Sequence, residues 1–254
     1  MKKQLLYVTF CAAVVSLSSC KMELAPYSDT TDRMAFVYKR ADSVTAYTFA
    51  YYSPDVTEGV VEVEVTAIGL LSDRARNVSI KQTNSGAGAA QAGVHYEILD
   101  NYVIEPNATN VIIPVKTIRD ASLKSGEYLL EISLVANDDF ELGYPDRLVK
   151  KIIITDILPQ PGNWSLVRSY LGRTWGRKKH EVMIMGAEPF DVIVDEAWID
   201  EIYGGSDYGL KTYWKNVFNV KLQEINDERA LQGLGALREA PGEGQSEGVI
   251  VSFS

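Results

Sequence analysis

The feature that most constrains the fold is an alternation of apolar and polar residues that recurs between residues 34 and 155. From Val61 to Thr66 valines alternate with polar side chains, and from Tyr128 to Leu134 apolar side chains again occupy every second position. A period of two places the apolar side chains on one face of a β-strand and the polar ones on the other. The pattern therefore predicts strands that pack their apolar faces on a common core.

The predicted strands are short and are separated by turn residues. They lie at residues 47–51, 61–66, 76–81, 94–104, 111–118, 127–135 and 148–155. A series of about eight such strands is typical of an antiparallel sandwich. Because proline cannot donate to a ladder, Pro114 indicates that its strand lies at an edge or contains a bulge. We therefore predict a mainly β protein with an antiparallel sandwich over residues 34–157.

A different pattern begins after Pro159-Gln160-Pro161-Gly162. All four tryptophans lie beyond this break. From Asp207 to Arg229 the apolar residues follow a helical period, and Ser206 or Asp207 is a suitable N-cap. Short strands are predicted at residues 181–185, 190–194 and 249–253. Together these patterns predict a smaller α+β domain over residues 158–254.

The first twenty residues have the layout of a bacterial lipoprotein signal. Two lysines precede an apolar run that is too short to span a bilayer. Leu17-Ser18-Ser19-Cys20 then fits a lipobox, in which the cysteine is acylated and becomes the new N-terminus. We predict a signal peptide over residues 1–19, lipidation of Cys20 with palmitate or a similar acyl chain, and a tether over residues 20–33. An ordinary secretory signal with an incidental cysteine is the alternative.

The charge and the cysteines exclude several classes of partner. A net charge of −9 argues against nucleic acid, because affinity for it comes mainly from phosphate neutralisation by lysine and arginine. It also argues against electrostatic adhesion to anionic lipid, so attachment to the outer membrane would depend on the acyl chains. The second cysteine, Cys11, lies in the predicted signal peptide, which leaves no disulfide in the mature body.

Few residues suggest metal or nucleophilic chemistry. The two histidines, His95 and His180, are too few for a zinc site in a body without cysteines. No nucleophile elbow of the form G-x-S-x-G is present. The stretch from Gly86 to Gln91 is a near miss to a dinucleotide fingerprint, but a strand follows it where a phosphate site needs a helix. We predict no catalytic residue, no metal and no cofactor.

Two acidic stretches have a functional and a plainer interpretation. The densest group of carboxylates would suit a hydrolase if two of them faced each other across a cleft, although such groups usually form a solvated face. Asn137-Asp138-Asp139 supplies some oxygen ligands for calcium, but it also suits a polar loop between strands. The members of the dense group are Asp191, Asp195, Glu196, Asp200 and Glu201.

Aromatic residues beyond residue 158 are the main candidates for binding. Exposed aromatic rings stack on sugar faces and anchor protein interfaces. Trp214 lies on the helical stripe and is expected in the core. Trp175 lies among basic residues, so we predict that it is exposed and lines a ligand or partner surface. The predicted ligand-binding residues are Trp175, Arg173, Arg177, Trp198 and Tyr203.

Four motifs occur in an order that resembles a known family. They are Ala92-Gly93-Val94-His95-Tyr96, Asn110-Val111-Ile112-Ile113-Pro114-Val115, Asn137-Asp138-Asp139-Phe140-Glu141-Leu142-Gly143 and Pro161-Gly162-Asn163-Trp164. With the lipobox, this order resembles the uncharacterised Bacteroidota lipoproteins grouped as domain of unknown function 4843. The middle of the chain also resembles an immunoglobulin- or fibronectin-like (Calx-beta-like) sandwich. The calcium-ligating acidic pattern of Calx-beta domains is not evident.

The resemblance implies a location and a set of partners. Such lipoproteins are commonly encoded beside outer-membrane nutrient importers of the starch-utilisation type. A TonB-dependent-type importer and its substrate-binding lipoprotein are therefore the implied partners. Glu23, soon after Cys20, is similar to the surface-export signal of this phylum, so we expect the cell surface, with a periplasm-facing position left open.

These observations together predict a non-catalytic outer-membrane lipoprotein. It would be an accessory or ligand-capturing component of a nutrient-uptake complex, with a glycan or a peptide as ligand. Two alternatives stay open: a surface-anchored hydrolase that uses carboxylates in residues 191–201, and a structural or adhesion module.

Overall fold

The computed structural model describes residues 31–38, 43–99, 101–239 and 248–253. The signal peptide, Cys20 and most of the tether lie outside the described residues, so the predictions for them stay predictions. Residues from Asp32 to Ser254 belong to one compact unit. Within the described part, no helix combines the length and apolarity needed to cross a membrane.

Two five-stranded sheets form the N-terminal part of this unit. The first has the strand order β5 (Tyr96–Glu97), β7 (Asn110–Ile118), β3 (Glu58–Ile68), β1 (Arg33–Phe36) and β9 (Glu141–Leu142). The second has the order β2 (Val44–Thr48), β10 (Val149–Thr155), β8 (Tyr128–Val135), β4 (Arg76–Gln82) and β6 (Tyr102–Ile104). The prediction of a mainly β protein is confirmed.

The sheets are mixed, which corrects the prediction of a purely antiparallel arrangement. β1 pairs in parallel with β9, and β2 pairs in parallel with β10. The segment predicted as one strand at residues 94–104 is divided into β5 and β6. Asn101, between them, has a left-handed φ of 72°, a conformation that strands do not contain.

The apolar residues that alternate along the strands form one core between the two sheets. Val61, Val63 and Val65 of β3 are buried, whereas their neighbours Glu62 and Glu64 are not. Leu130, Ile132 and Leu134 of β8 enter the same cluster from the other sheet. Because the period-two pattern turns one face of each strand inward, the apolar faces of both sheets share this core.

Pro114 lies where its missing N–H group costs little. It pairs with Glu62 of β3, while β5 on the other side pairs only with Lys116 and Thr117. β7 is therefore second in its sheet by order, yet an edge strand at Pro114. This explains how a strand with a neighbour on each side tolerates proline.

Within the described residues, four α-helices follow the sheets: α1 (Arg168–Leu171), α2 (Arg177–Ala187), α3 (Glu196–Gly204) and α4 (Tyr208–Leu231). The predicted long helix is confirmed as α4. Asp207 is its N-cap, and the carboxylate Oδ1 accepts a hydrogen bond of 2.9 Å from the Leu210 amide. Trp214 and Phe218 are buried in a second core, so the expectation that Trp214 is a core residue is confirmed.

The three short strands predicted beyond residue 180 are wrong. Residues 181–185 belong to α2, Phe190 ends a 3₁₀ turn and residues 191–194 form no strand, and residues 249–253 contain only an isolated bridge at Ile250. A short apolar run does not distinguish a strand from a buried helix. α2 also lacks a local cap: Gly176 stands at its N-cap, and the buried Glu239 accepts hydrogen bonds from the amides of Lys178 (2.9 Å) and Lys179 (3.0 Å).

Candidate functional site

A groove of about 930 Å³ lies between one end of the sheets and α2. One wall is the segment from Ala50 to Val56, and the other is the outward face of α2 with the loop that follows it. We call it the Tyr51 groove. Its lining residues are Ala50, Tyr51, Tyr52, Ser53, Pro54, Val56, Arg119, Lys124, Asp156, Leu158, Arg177, Lys178, Glu181, Ile184, Met185, Glu188, Asp191, Val192 and Ile193.

A bidentate ion pair between Arg119 and Asp156 holds the sheet side of the groove together. Arg119 donates from Nε to Asp156 Oδ2 (2.9 Å) and from Nη2 to Oδ1 (2.7 Å). Its third nitrogen donates to the Ser53 carbonyl at 2.7 Å and to the Val56 carbonyl at 3.2 Å. The side chains are only 13% and 3% exposed. The guanidinium therefore connects the end of β7 to the end of β10 and fixes the 53–56 loop.

The aromatic part of the wall is held from both sides. Tyr52 stacks on Tyr47 with ring centroids 5.9 Å apart, and Tyr51 makes an edge contact with His180 at 5.9 Å. Burial raises the pKa of the Tyr51 hydroxyl to about 12, with Asp195 and Glu196 adding to the effect. Tyr51 is thus a neutral phenol at physiological pH.

Trp175 and His180 lie beneath this wall, in the second core. The prediction that Trp175 is exposed is wrong, because its side chain is buried with 6% exposure. Its indole Nε1 donates to His180 Nδ1 at 3.4 Å, and His180 Nε2 donates to the Val194 carbonyl at 2.8 Å. The carbonyl can only accept, so the neutral ring carries its proton on Nε2.

Burial lowers the pKa of His180 to about 4 against the partly opposing effects of Val194 and Asp195. In the unfolded chain His180 therefore binds a proton as the pH falls below about 6.5, whereas in the native protein it stays neutral until the pH falls to about 4. We expect the free energy of unfolding to fall by about 3 kcal/mol from this group as the pH drops through that window. Urea unfolding of wild type and His180→Gln at pH 7 and pH 4.5 measures the difference. Equal losses of stability in the two proteins would contradict the assignment.

The other predicted ligand-binding residues do not form one surface. Trp198 and Tyr203 are core residues with 8% and 3% exposure. Arg173 is exposed but is not part of the groove lining, whereas Arg177, at the start of α2, is part of it. The abundance of aromatic residues beyond residue 158 is thus explained largely by the second core.

Two members of the dense carboxylate group, Asp195 and Asp200, are used for local structure. Asp195 is the N-cap of α3, and its Oδ1 accepts a hydrogen bond of 2.9 Å from the Trp198 amide. Asp200 accepts a hydrogen bond of 2.9 Å from Asn163 Nδ2, which links α3 to the segment after the sheets. Asp191, with a left-handed φ of 56°, lines the groove.

His95 is close to Ser122, which is hydrogen-bonded to Asp120, but the hydrogen bonds run in a direction that does not activate Ser122 as a nucleophile. Its Nδ1 accepts a hydrogen bond of 3.0 Å from the Gln91 amide, which leaves the proton of the neutral ring on Nε2. Nε2 faces Ser122 Oγ at 3.0 Å, and that hydroxyl donates to Asp120 Oδ1 at 2.6 Å. Histidine thus presents a donor to Ser122, and this geometry does not make it the general base of a hydrolase.

The Asn137-Asp138-Asp139 stretch closes a polar loop between strands. Asn137 Oδ1 accepts from the amides of Asp139 and Phe140, both at 2.9 Å. Hydrogen bonds from the Asn77 amide and from Arg74 hold the pKa of Asp139 below its ordinary value. Across the residues that the structure describes, no group of three or more histidine, cysteine, aspartate or glutamate side chains is placed to hold a metal ion.

Sequence reasoning missed most of the groove. The stretch Phe49-Ala50-Tyr51-Tyr52 reads as the end of a strand, yet the structure has a 3₁₀ turn at Phe49–Tyr51. Arg119 directly follows the predicted strand at residues 111–118, and Asp156 directly follows the predicted strand at residues 148–155. Charged residues at strand ends are common, so this signal alone does not pair them.

These features define a class of mainly β proteins, with two mixed five-stranded sheets and helices in the C-terminal part. Within that class, the chain belongs to the family described as Domain of unknown function (DUF4843), whose model matches residues 27–188. The matched range includes the sheets, α2 and the groove lining as far as Glu188.

Solved structures from Bacteroides are similar over about half of the chain. A Bacteroides ovatus protein of unknown function has 12% identity and a TM-score of 0.38, covering 48% of this chain and 43% of its own. A two-domain Bacteroides fragilis protein of unknown function has 10% identity and a TM-score of 0.38, covering 50% and 46%. A Bacteroides ovatus protein provisionally described as carbohydrate-binding has 9% identity and a TM-score of 0.37, covering 50% and 37%.

This chain therefore spans less than half the length of each of these solved proteins. No curated protein matches the sequence.

Proposed function

We propose that this protein is a non-catalytic lipoprotein of the outer membrane that captures a ligand for a nutrient-uptake complex. Cys20 carries the acyl anchor, and the Tyr51 groove holds the ligand. The observation that carries the proposal is the groove itself, an open cleft with aromatic, aliphatic and charged lining. Such clefts are the usual place for ligands in proteins.

The mechanism is tethered proximity. An acylated Cys20 confines the protein to a membrane surface, and a groove held at that surface keeps its ligand near an importer. Confinement raises the effective concentration of ligand at the partner without any chemical step. A TonB-dependent-type importer and its substrate-binding lipoprotein are the proposed partners, and a glycan or a peptide is the proposed ligand.

Two observations make catalysis the weaker candidate. Asp195 and Asp200 are already engaged by an amide and by Asn163. Ser122 meets a donor on His95 where a hydrolase needs a base. A non-catalytic role needs neither group to be free.

We also propose that the two sheets form a sandwich of the immunoglobulin or fibronectin type, similar to a Calx-beta domain. Support comes from their shared core, to which β3 and β8 contribute from opposite sheets. Unfolding of the two sheets in separate urea transitions would contradict a sandwich with one shared core.

Acylation is the first part of the proposal to test. Cells fed an alkyne-tagged palmitate should label the wild-type protein and leave Cys20→Ser unlabelled, because serine has no thiol to acylate. In mild detergent, the wild-type protein should also co-purify with an outer-membrane importer, whereas Cys20→Ser should not. Absence of label on the wild-type protein, or its recovery without an importer, would count against the proposed function.

A further inference from the structure

We infer that the ligand of the Tyr51 groove is a short extended peptide with an apolar centre and a cationic end that lies against Glu188 and Asp191. The inference rests on the proposed function and names the ligand class of the same groove. Three features of the lining carry it: the unpaired charges, the aliphatic side chains and the length of α2.

The charged side chains of the groove fall into two sets. Arg119 is paired with Asp156, Lys178 is paired with Glu181 at 2.9 Å, and Arg177 is not free either. The charged groups of Lys124, Glu188 and Asp191 make no hydrogen bond or ion pair within the described residues. Two of these three unpaired groups are carboxylates that follow the end of α2, so that end of the groove offers binding to a cation.

Charge order along α2 supports the same orientation. The helix begins with Arg177 and Lys178, and Glu188 follows its last residue. At the start of α2 the macrodipole is met by the Glu239 carboxylate, which accepts hydrogen bonds from the amides of Lys178 and Lys179, whereas the end of the helix favours a cation. The unpaired carboxylate of Glu188 therefore lies where the helix macrodipole favours a cation, which supports the cationic end of the ligand at this end of the groove.

The apolar lining favours a peptide over a glycan. Met185 and Ile193 are 37% and 39% exposed on the wall of the groove, although both are aliphatic. Apolar side chains of a peptide would cover them. A glycan would instead place hydroxyl groups against these apolar side chains, where the hydroxyls find no hydrogen-bond partner.

The dimensions set the length of the peptide. α2 has 11 residues, which corresponds to about 16 Å at the rise of an α-helix. An extended chain covers that distance with about five residues. A pentapeptide with an apolar centre and lysine at one end therefore matches the length of the wall and the two carboxylates at its end, and glutamate at the other end keeps the peptide neutral.

The test is calorimetric titration of the full-length lipoprotein in detergent with the pentapeptide Lys-Leu-Val-Leu-Glu. Wild type should bind it, and Glu188→Gln/Asp191→Asn should bind it about tenfold more weakly, because two charge contacts are lost. Asparagine tolerates the left-handed backbone at residue 191, so the variant should fold normally. A thermal melt checks this.

A matched control separates local contacts from general electrostatics. Glu201→Gln/Glu228→Gln removes the same charge from exposed positions outside the groove and should bind like wild type. The acetylated and amidated peptide Gln-Leu-Val-Leu-Gln should bind more weakly to wild type than the charged one.

Three results would overturn the inference. They are no binding of the charged peptide to wild type, equal weakening in the two double variants, and binding of a neutral linear glucose heptasaccharide in place of the peptide. The last result would replace the ligand class and leave the proposed function intact. By contrast, missing acylation or a missing importer would count against the proposed function whatever the titrations show.

Discussion

Asp156→Ala is expected to lower the free energy of unfolding by about 3–5 kcal/mol, the usual cost of removing one partner from a buried ion pair. The substitution leaves the Arg119 guanidinium, 13% exposed, without its carboxylate. Its remaining acceptors are the carbonyls of Ser53 and Val56. Equilibrium urea unfolding at pH 7 measures the loss.

A double-mutant cycle distinguishes the pair from simple loss of packing. Arg119→Met combined with Asp156→Ala should recover part of the stability, because the unpaired buried charge is then gone. Glu224→Ala serves as the control, since its pair with Lys221 lies on the surface with 57% and 34% exposure. It should cost about 0.5 kcal/mol or less. Equal costs for Asp156→Ala and Glu224→Ala would show that the Arg119 pair does not stabilise the groove.

Trp175→Ala is expected to lower the free energy of unfolding by about 3–5 kcal/mol, as is usual when a core tryptophan is truncated. The indole is 6% exposed within the second core and donates to His180. Its removal leaves a cavity and also removes the donor from His180 Nδ1. Urea unfolding again measures the effect.

Two further variants separate the roles of the Trp175 ring. Trp175→Phe keeps one aromatic ring but loses the N–H group and part of the indole volume, so it should cost less than Trp175→Ala and more than the about 1 kcal/mol of a hydrogen bond alone. Tyr208→Ala removes an aromatic ring that is 73% exposed and should cost less than Trp175→Ala. If Trp175→Ala were as stable as wild type, the core position of the ring would be wrong and a surface role would regain support.

The strands and the longest helix could be predicted because their signals are local. Alternation in β3 and β8 reports which side chains face inward, whatever the rest of the chain does. α4 carries both its stripe and its cap, Asp207, within one stretch of sequence. Such features follow from neighbouring residues, and the structure confirms them.

α2 and the burial of Trp175 could not be predicted in the same way. The cap of α2 comes from Glu239, about sixty residues away. The residue at the N-cap position itself is Gly176, which has no side chain to accept a hydrogen bond. The basic residues around Trp175 suggest a surface, yet the chain beyond residue 160 folds its rings into one core. Neither result depends on a residue's immediate neighbours.

The sequence alone therefore determined the β-rich class, the long helix and the family likeness, because period, capping and motif order are properties of contiguous residues. Only the tertiary structure decided the groove. It joins Tyr51, Arg119, Asp156 and Glu188 from distant parts of the chain. Their meeting depends on strand order and on how α2 packs beside the sheets, and these are properties of the folded chain as a whole.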